Sequence, residues 1–293
     1  MIAPALLRGR TRYERVMEGW TDNTHPEAFT HTVRLADEDR AVEISVVALP
    51  SPTYEIRGGE VRVLRGAVAP SVADGFSKLA GTRMVAGLTR RAAELTGGGE
   101  GAALVAAATV VVARRARLVA MLPPVREARA AGGDPWECWQ LDTTGWMDLP
   151  DSCFAYSDAG RALFGSRTIA TLMQPDLYSP RPGQRRVFER RKVARLERGD
   201  GRLALFHSMH DNAHGFELTF EIDLASGTIV RAEHLTPKLP YMGLCSEPQR
   251  RLAAMLGETA DAGLRKRAQA HLGGPAGCAQ LYDLTADLLK LLA

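Results

Sequence analysis

The chain of 293 residues is poor in several features that would narrow its role. Aromatic residues make up only 6%, and the four cysteines (Cys138, Cys153, Cys245 and Cys278) are scattered, with no C-x-x-C pair. That spacing excludes a dense disulfide framework and removes the pattern that makes a zinc site legible from sequence. The longest apolar run, "AALVAAATVVVA" at 102–113, falls short of the roughly 18–20 residues that span a bilayer, and reads as a buried helix or strand. The opening "MIAPALLRGRTRYERVMEGW" turns charged by Arg8, too soon for the apolar core of a secretory signal. A strong charge of either sign is also missing, since the net charge is +3. So weak a balance argues against nucleic acid or an anionic membrane as partner. These absences lead to the expectation of a soluble, cytoplasmic protein with reduced thiols. The 45% hydrophobic and 24% charged composition is enough for one or two domains, each with its own core.

What is present is a repeat. Residues 81–109 and 257–285 align without a gap at an offset of 176, with 11 of 29 positions identical. Five of the matches are glycines (81/257, 87/263, 97/273, 98/274 and 101/277). Glycine usually answers a specific backbone need, so composition alone does not place five in register. Upstream, "DNTH" at 22–25 and "DNAH" at 211–214 each precede a strand-like stretch. Phe216, Leu218, Phe220 and Ile222 alternate with polar residues, and "DLASGTI" then reads as a hairpin turn around Gly227. The expected fold is therefore α+β: two tandem repeats, each a small antiparallel β-meander followed by helices, packed as a pseudo-dimer. The expected division is a degenerate repeat over 1–115, a Trp-rich insert and basic connecting segment over 116–207, and a second repeat over 208–293.

The insert holds Trp136, Trp139 and Trp146, a cluster that lines a pocket or caps a core. Its basic end, "QRRVFERRKVARLERGDGR" at 184–202, carries eight Arg and Lys against three acids. Without interleaved aromatics it reads as a solvated face and not as a nucleic-acid footprint.

The two copies differ in chemistry. Cys278, His271 and Asp283 of the second stand opposite Ala102, Leu95 and Ala107 of the first. Cys278 follows a glycine loop and opens a helix, where exposed N–H groups and the helix dipole are expected to lower a thiol pKa. His271 closes the preceding helix, Cys245 lies in "LPYMGLC", and Asp211 and His214 precede the meander. His214, Cys245 and Cys278 have the donor types of a zinc or iron site, which the fold would have to assemble. Within "HSMHDNAH", a strand would put His210 and His214 on one face, with Asp211 either orienting a histidine or capping the backbone.

The stretch running through "DNAHGFELTFEIDLASGTIVRAEHLTPKLPYMGLC" to "GGPAGCAQL" resembles a bacterial family known as domain of unknown function 2889. Its pattern has a His before a hairpin, then "Py..C", "L.G....G" and "GG..GC.HL". Gln280 stands where that pattern has a second His, which puts a complete site in doubt. A more distant likeness is to the iron–sulfur scaffold fold of the NifU and IscU type, and it implies that His214, Cys245 and Cys278 meet. Gly277 stands where the scaffold has His.

The leading functional expectation is an enzyme acting on a small organic molecule, of lyase, isomerase or hydrolase type. His214, Asp211, Cys278, Cys245 and His271 are its candidate catalytic residues. A metal, iron–sulfur or sulfur carrier and a structural protein–protein module are the alternatives. Oligomeric state is open.

Overall fold

The computed structural model describes residues 4–25, 27–50, 53–85, 87–115, 124–143, 151–172 and 180–292. Trp146 lies outside them. The described chain is α+β, with antiparallel sheet and helices. Among the described residues no helix is long and apolar enough to cross a membrane.

Two compact units are woven from non-contiguous stretches. One comprises 15–131 and 174–191, the other 1–14, 132–173 and 192–293. The first, called here the amino-terminal unit, contains most of β1 (Arg12–Asn23), then β2 (Phe29–Ala36), β3 (Ala41–Ala48) and β4 (Ile56–Arg65). These lie in the order β4-β3-β2-β1, with β6 (Gln184–Gly199) beside β1. The pairings are antiparallel, for example Val33 opposite Ile44. The helices α1 (Pro70–Ser77), α2 (Leu88–Thr96) and α3 (Ala102–Arg115) follow the meander. The apolar run is thus a helix, and α3 packs against β2 and β3. Val33, Leu35 and Ile44 of the sheet are fully buried with Phe76, Val105 and Ala108 of the helices. The alternation of apolar residues in "AVEISVVA" supplies one sheet face, and helical spacing of apolar residues supplies its cover. The remaining helix of this unit is α4 (Pro124–Ala131).

The carboxy-terminal unit likewise holds a meander followed by helices. The second half of β6, then β7 (Arg202–Asp211), β8 (Gly215–Asp223) and β9 (Ile229–Lys238), form consecutive neighbours. The hairpin expected in "DLASGTI" joins β8 to β9, with Gly227 at φ +72. A 3-10 helix over Pro248–Met255 precedes α7 (Leu264–Leu272) and α8 (Ala279–Leu289), and α8 packs on β7 and β8. Leu205, Phe216, Leu218 and Phe220 form the sheet side of the core and Leu281, Leu284 and Leu288 the helix side. The unit also holds α5 (Pro135–Thr143), α6 (Asp158–Ala162), and the short strands β5 (Ala170–Thr171) and β10 (Tyr241–Met242), which pair with one another.

A backbone motif occurs once in each unit. In the amino-terminal one, Ile56 donates to Thr82 O at 2.8 Å and accepts from Gly81 N at 2.8 Å, and Met84 N donates to Tyr54 O at 2.7 Å. In the carboxy-terminal one, Ile229 donates to Glu258 O at 2.9 Å and accepts from Gly257 N at 2.8 Å, and Ala260 N donates to Gly227 O at 2.8 Å. Gly81 and Gly257 share φ near +80, at +82 and +81, where a side chain is strained.

The basic segment, read as a solvated strand or helix face, is the strand β6 and the start of β7. Its Arg185, Arg186, Arg191, Arg198 and Arg202 are exposed, and it departs from that reading at two residues. Arg190 and Lys192 within β6 are both 3% exposed. Lys192 Nζ meets Asp287 Oδ2 of α8 at 2.8 Å, so opposite charge within the core offsets its desolvation. The Arg190 guanidinium lies over the ring of Phe188.

Candidate functional site

The site is best built from α5, because it holds a residue that sequence patterns did not single out. Asp134 caps this helix, its Oδ1 accepting from Glu137 N at 2.9 Å, and Pro135 fills the first helical position. One turn on, Cys138 and Asp142 face the core with no exposure. Asp142 Oδ2 accepts from Tyr241 Oη at 2.6 Å and from Tyr156 Oη at 2.9 Å, and the two phenol rings meet edge to face. A carboxylate so far from water is sustained by such donors. Tyr241 is itself fully buried, and its carbonyl accepts from Cys245 N at 2.9 Å. The buried acid and the "LPYMGLC" loop are therefore locked together.

Three thiols gather in the same unit. Phe154 N donates to Gly277 O at 2.8 Å, which brings the backbone after Cys153 to the backbone before Cys278. Gln249, 1% exposed, donates from Nε2 to Cys245 O at 3.0 Å, and its amide also reaches the Cys278 thiol. Gln249 Oε1 is buried and has no hydrogen-bond partner among the described residues. Cys153, Cys245 and Cys278 feel one another electrostatically, and all are free thiols.

Cys278 is the N-cap of α8, in extended conformation, with its Sγ accepting from Leu281 N at 3.5 Å. The helix terminus was expected to lower its pKa. The shift runs the other way, because burial raises it by more than the Leu281, Gln249 and Gln280 donors lower it. Burial likewise raises Cys245 well above the usual thiol range, with Cys153 and Cys278 adding to it. Burial pushes Cys153 up to about 12 and Cys138 to about 11, the second with help from Asp142. At neutral pH these groups hold their protons.

The histidines are placed elsewhere. His214 does not share a strand face with His210. β7 ends at Asp211, the chain turns, and His214 precedes β8. His210 is exposed beside Glu217, whereas His214 is 9% exposed. Asp211 Oδ1 accepts from Ala213 N at 2.8 Å, His214 N at 2.6 Å and His214 Nδ1 at 3.1 Å, which makes the aspartate the organiser of the turn. Asp22 has a different duty, its Oδ1 accepting from Arg186 N at 2.8 Å. His271 Nε2 pairs with Glu258 Oε1 at 2.8 Å, and no hydrogen bond joins it to a thiol among the described residues. His207, on β7, binds Leu284 O through Nδ1 at 2.8 Å and so ties the sheet to α8. Among the described residues no group of three or more His, Cys, Asp and Glu side chains is disposed to hold a metal ion. The thiols of Cys245 and Cys278 are brought together, and with His214 they form no metal-holding group among the described residues.

Residues 198–292 match the family model described as "Protein of unknown function (DUF2889)". The match holds Cys245, Gln249 and Cys278 and stops short of Cys138, Asp142 and Cys153. No curated protein and no solved structure matches the chain. The likeness to the iron–sulfur scaffold therefore gains no support. Gly277 gives a physical reason for caution as well: a Cβ there would lie 2.0 Å from Leu272 O, so a histidine has no room.

Trp136 and Trp139 take both roles open to them in sequence. Trp139 is buried, with Nε1 donating to Ala155 O at 2.6 Å, while half-buried Trp136 stacks on it and borders a cavity.

Proposed function

We propose that the protein is an enzyme acting on a small organic molecule by proton transfer, with the thiol of Cys278 as the acid. One observation carries this reading. Cys278 is a buried thiol whose sulfur accepts from Leu281 N and meets the Gln249 amide, and the buried Oε1 of Gln249 has no hydrogen-bond partner among the described residues. A thiol held protonated can deliver its proton only to a developing charge more basic than its own thiolate, such as a carbanion or enolate. The Leu281 amide and the helix terminus then stabilise the thiolate left behind. The Gln249 oxygen offers a substrate N–H or O–H its acceptor. This chemistry suits a lyase or isomerase better than a hydrolase, which needs a ready nucleophile. Cys245 is the neighbouring second thiol, and Asp142 with Tyr156 and Tyr241 positions the loop that carries it.

We also infer that the two units are copies of one ancestral fold, and that only the second kept the thiol. The paired Ile56 and Ile229 bonding pattern and the repeated helix order support this inference.

A carrier of sulfur, or of a metal such as zinc or iron, is the second reading, and the nearness of Cys153, Cys245 and Cys278 favours its sulfur form. The test is incubation of the native protein with a small-metabolite mixture in deuterium oxide, followed by mass spectrometry. Conversion of a metabolite, or its gain of deuterium, that is lost in Cys278→Ala is the expected result. No change in any metabolite, together with copurifying zinc, iron or sulfide, would favour the carrier and contradict the enzyme.

A further inference from the structure

Outside the thiol cluster, the carboxy-terminal unit has an open, solvent-facing cavity of about 660 Å³ lined by Trp136, Asp158, Arg161, Ala162, Phe164 and Gly165. Its apolar wall is rigid. Trp136 stacks on Trp139 with centroids 5.2 Å apart and planes 9° apart, and Phe164 meets Trp136 edge-on at 5.1 Å. Trp139 is in turn fixed by its bond to Ala155 O at 2.6 Å.

The polar side of the cavity is formed by one acid and one base of α6. Asp158 and Arg161 are three residues apart on that helix, the spacing that sets two side chains next to each other. Despite this they form no ion pair with each other or with any third residue among the described residues. The Arg161 guanidinium instead lies 5.8 Å from the centre of the Trp136 ring. Adjacent opposite charges left apart beside an aromatic wall suit a ligand with the converse arrangement: a carboxylate and an ammonium on one carbon, linked through a methylene to a planar ring.

We propose that this cavity binds an aromatic α-amino acid, with its carboxylate at Arg161, its ammonium at Asp158 and its ring against Trp136 and Phe164. The proposal does not rest on the thiol reading, since none of the lining residues belongs to that cluster.

Calorimetric titration of the full-length protein tests it, with L-phenylalanine as the probe. Phenethylamine, 3-phenylpropanoate and L-alanine serve as probes lacking the carboxylate, the ammonium and the ring respectively. L-phenylalanine is expected to bind at least about tenfold more tightly than each of the three. Arg161→Gln should weaken L-phenylalanine and 3-phenylpropanoate by about tenfold and leave phenethylamine unchanged. Asp158→Asn should weaken L-phenylalanine and phenethylamine and leave 3-phenylpropanoate unchanged. Both side chains are exposed, so both variants are expected to fold, and circular dichroism checks this. No binding of L-phenylalanine at millimolar concentration would overturn the proposal. So would binding that neither variant alters, or binding no tighter than that of phenethylamine and 3-phenylpropanoate.

Discussion

The two glycine loops, at 97–101 before α3 and at 273–277 before α8, begin alike and end differently. Each leaves its preceding helix through the same bond, Gly97 N to Ala93 O at 3.0 Å and Gly273 N to Gln269 O at 3.0 Å. Ala102 and Cys278 then reach similar depth, 8% and 9% exposed. Yet α3 starts at Ala102 itself, whereas α8 starts one residue after Cys278, whose sulfur caps it. Alanine cannot accept a capping hydrogen bond, and Leu104 and Val105 N–H turn to Gly101 O instead. The loops close differently too: Cys278 N bonds to Leu272 O at 2.8 Å, and Ala102 N to Gly99 O at 3.0 Å. Substitution of one residue thus accompanies a shift in where the helix begins. The thiol has a structural duty, and the amino-terminal unit meets the same duty with backbone alone.

The largest effect that would sharpen this contrast is expected from Gly277→Ala. Its Cβ would meet Leu272 O, a backbone atom held in the Cys278 hydrogen bond, so the loop cannot yield. A loss of about 4 kcal/mol or more in urea unfolding is expected, while Gly98→Ala, whose Cβ meets nothing within 4 Å, should stay within about 0.5 kcal/mol of native. Equal losses from the two would break the comparison. Next comes Asp142→Ala, which takes from the Tyr156 and Tyr241 hydroxyls the carboxylate they share and should cost about 2–3 kcal/mol. Hydrogen exchange at Cys245 N should rise with it, since the Tyr241 backbone holds that amide. A stability change near zero would dissolve the proposed link between α5 and the Cys245 loop.

Cys278→Ala is expected to cost about 1–2 kcal/mol, from the lost cap and a small void. Cys278→Ser, which keeps a capping acceptor, should recover part of it by the same unfolding measurement. The smallest effect is alkaline. Because burial raises the folded-state pKa of Cys138 to about 11, its contribution is complete below the unfolded thiol pKa and is lost as pH climbs toward the folded value. By pH 10 the loss should be about 1 kcal/mol for that thiol, read as a fall in Tm that Cys138→Ala reduces.

Much of the fold was legible because its signals are local. The alternation from Phe216 to Ile222 marked β8, Gly227 marked its turn, and the paired glycines marked the ends of helices in both units. The interleaved path of the chain was not, since no local pattern says that 132–173 packs with 192–293. Nor was the burial of Arg190 and Lys192 in β6, which read as surface until Asp287, 95 residues away from Lys192, supplies its charge. At the site, Cys245 and Cys278 could be singled out by their loops. Asp142 could not, because its partner Tyr241 is 99 residues distant and a lone acid in "PWECWQLDT" has no marked spacing. Cys278 exposed the limit of a rule as well. Its helix terminus was visible in sequence, but the burial that outweighs that terminus belongs to the packed core.

The account depends most on Cys278 holding its proton despite its place at a helix terminus. Site-resolved alkylation of the native protein with iodoacetamide, across neutral to strongly alkaline pH, addresses this directly. Slow labelling of Cys278 at neutral pH, rising only above the ordinary thiol pKa, is the predicted result. Fast labelling of Cys278 at neutral pH, while Cys245 stays unlabelled, would mean that the helix terminus wins over burial, and would contradict the account.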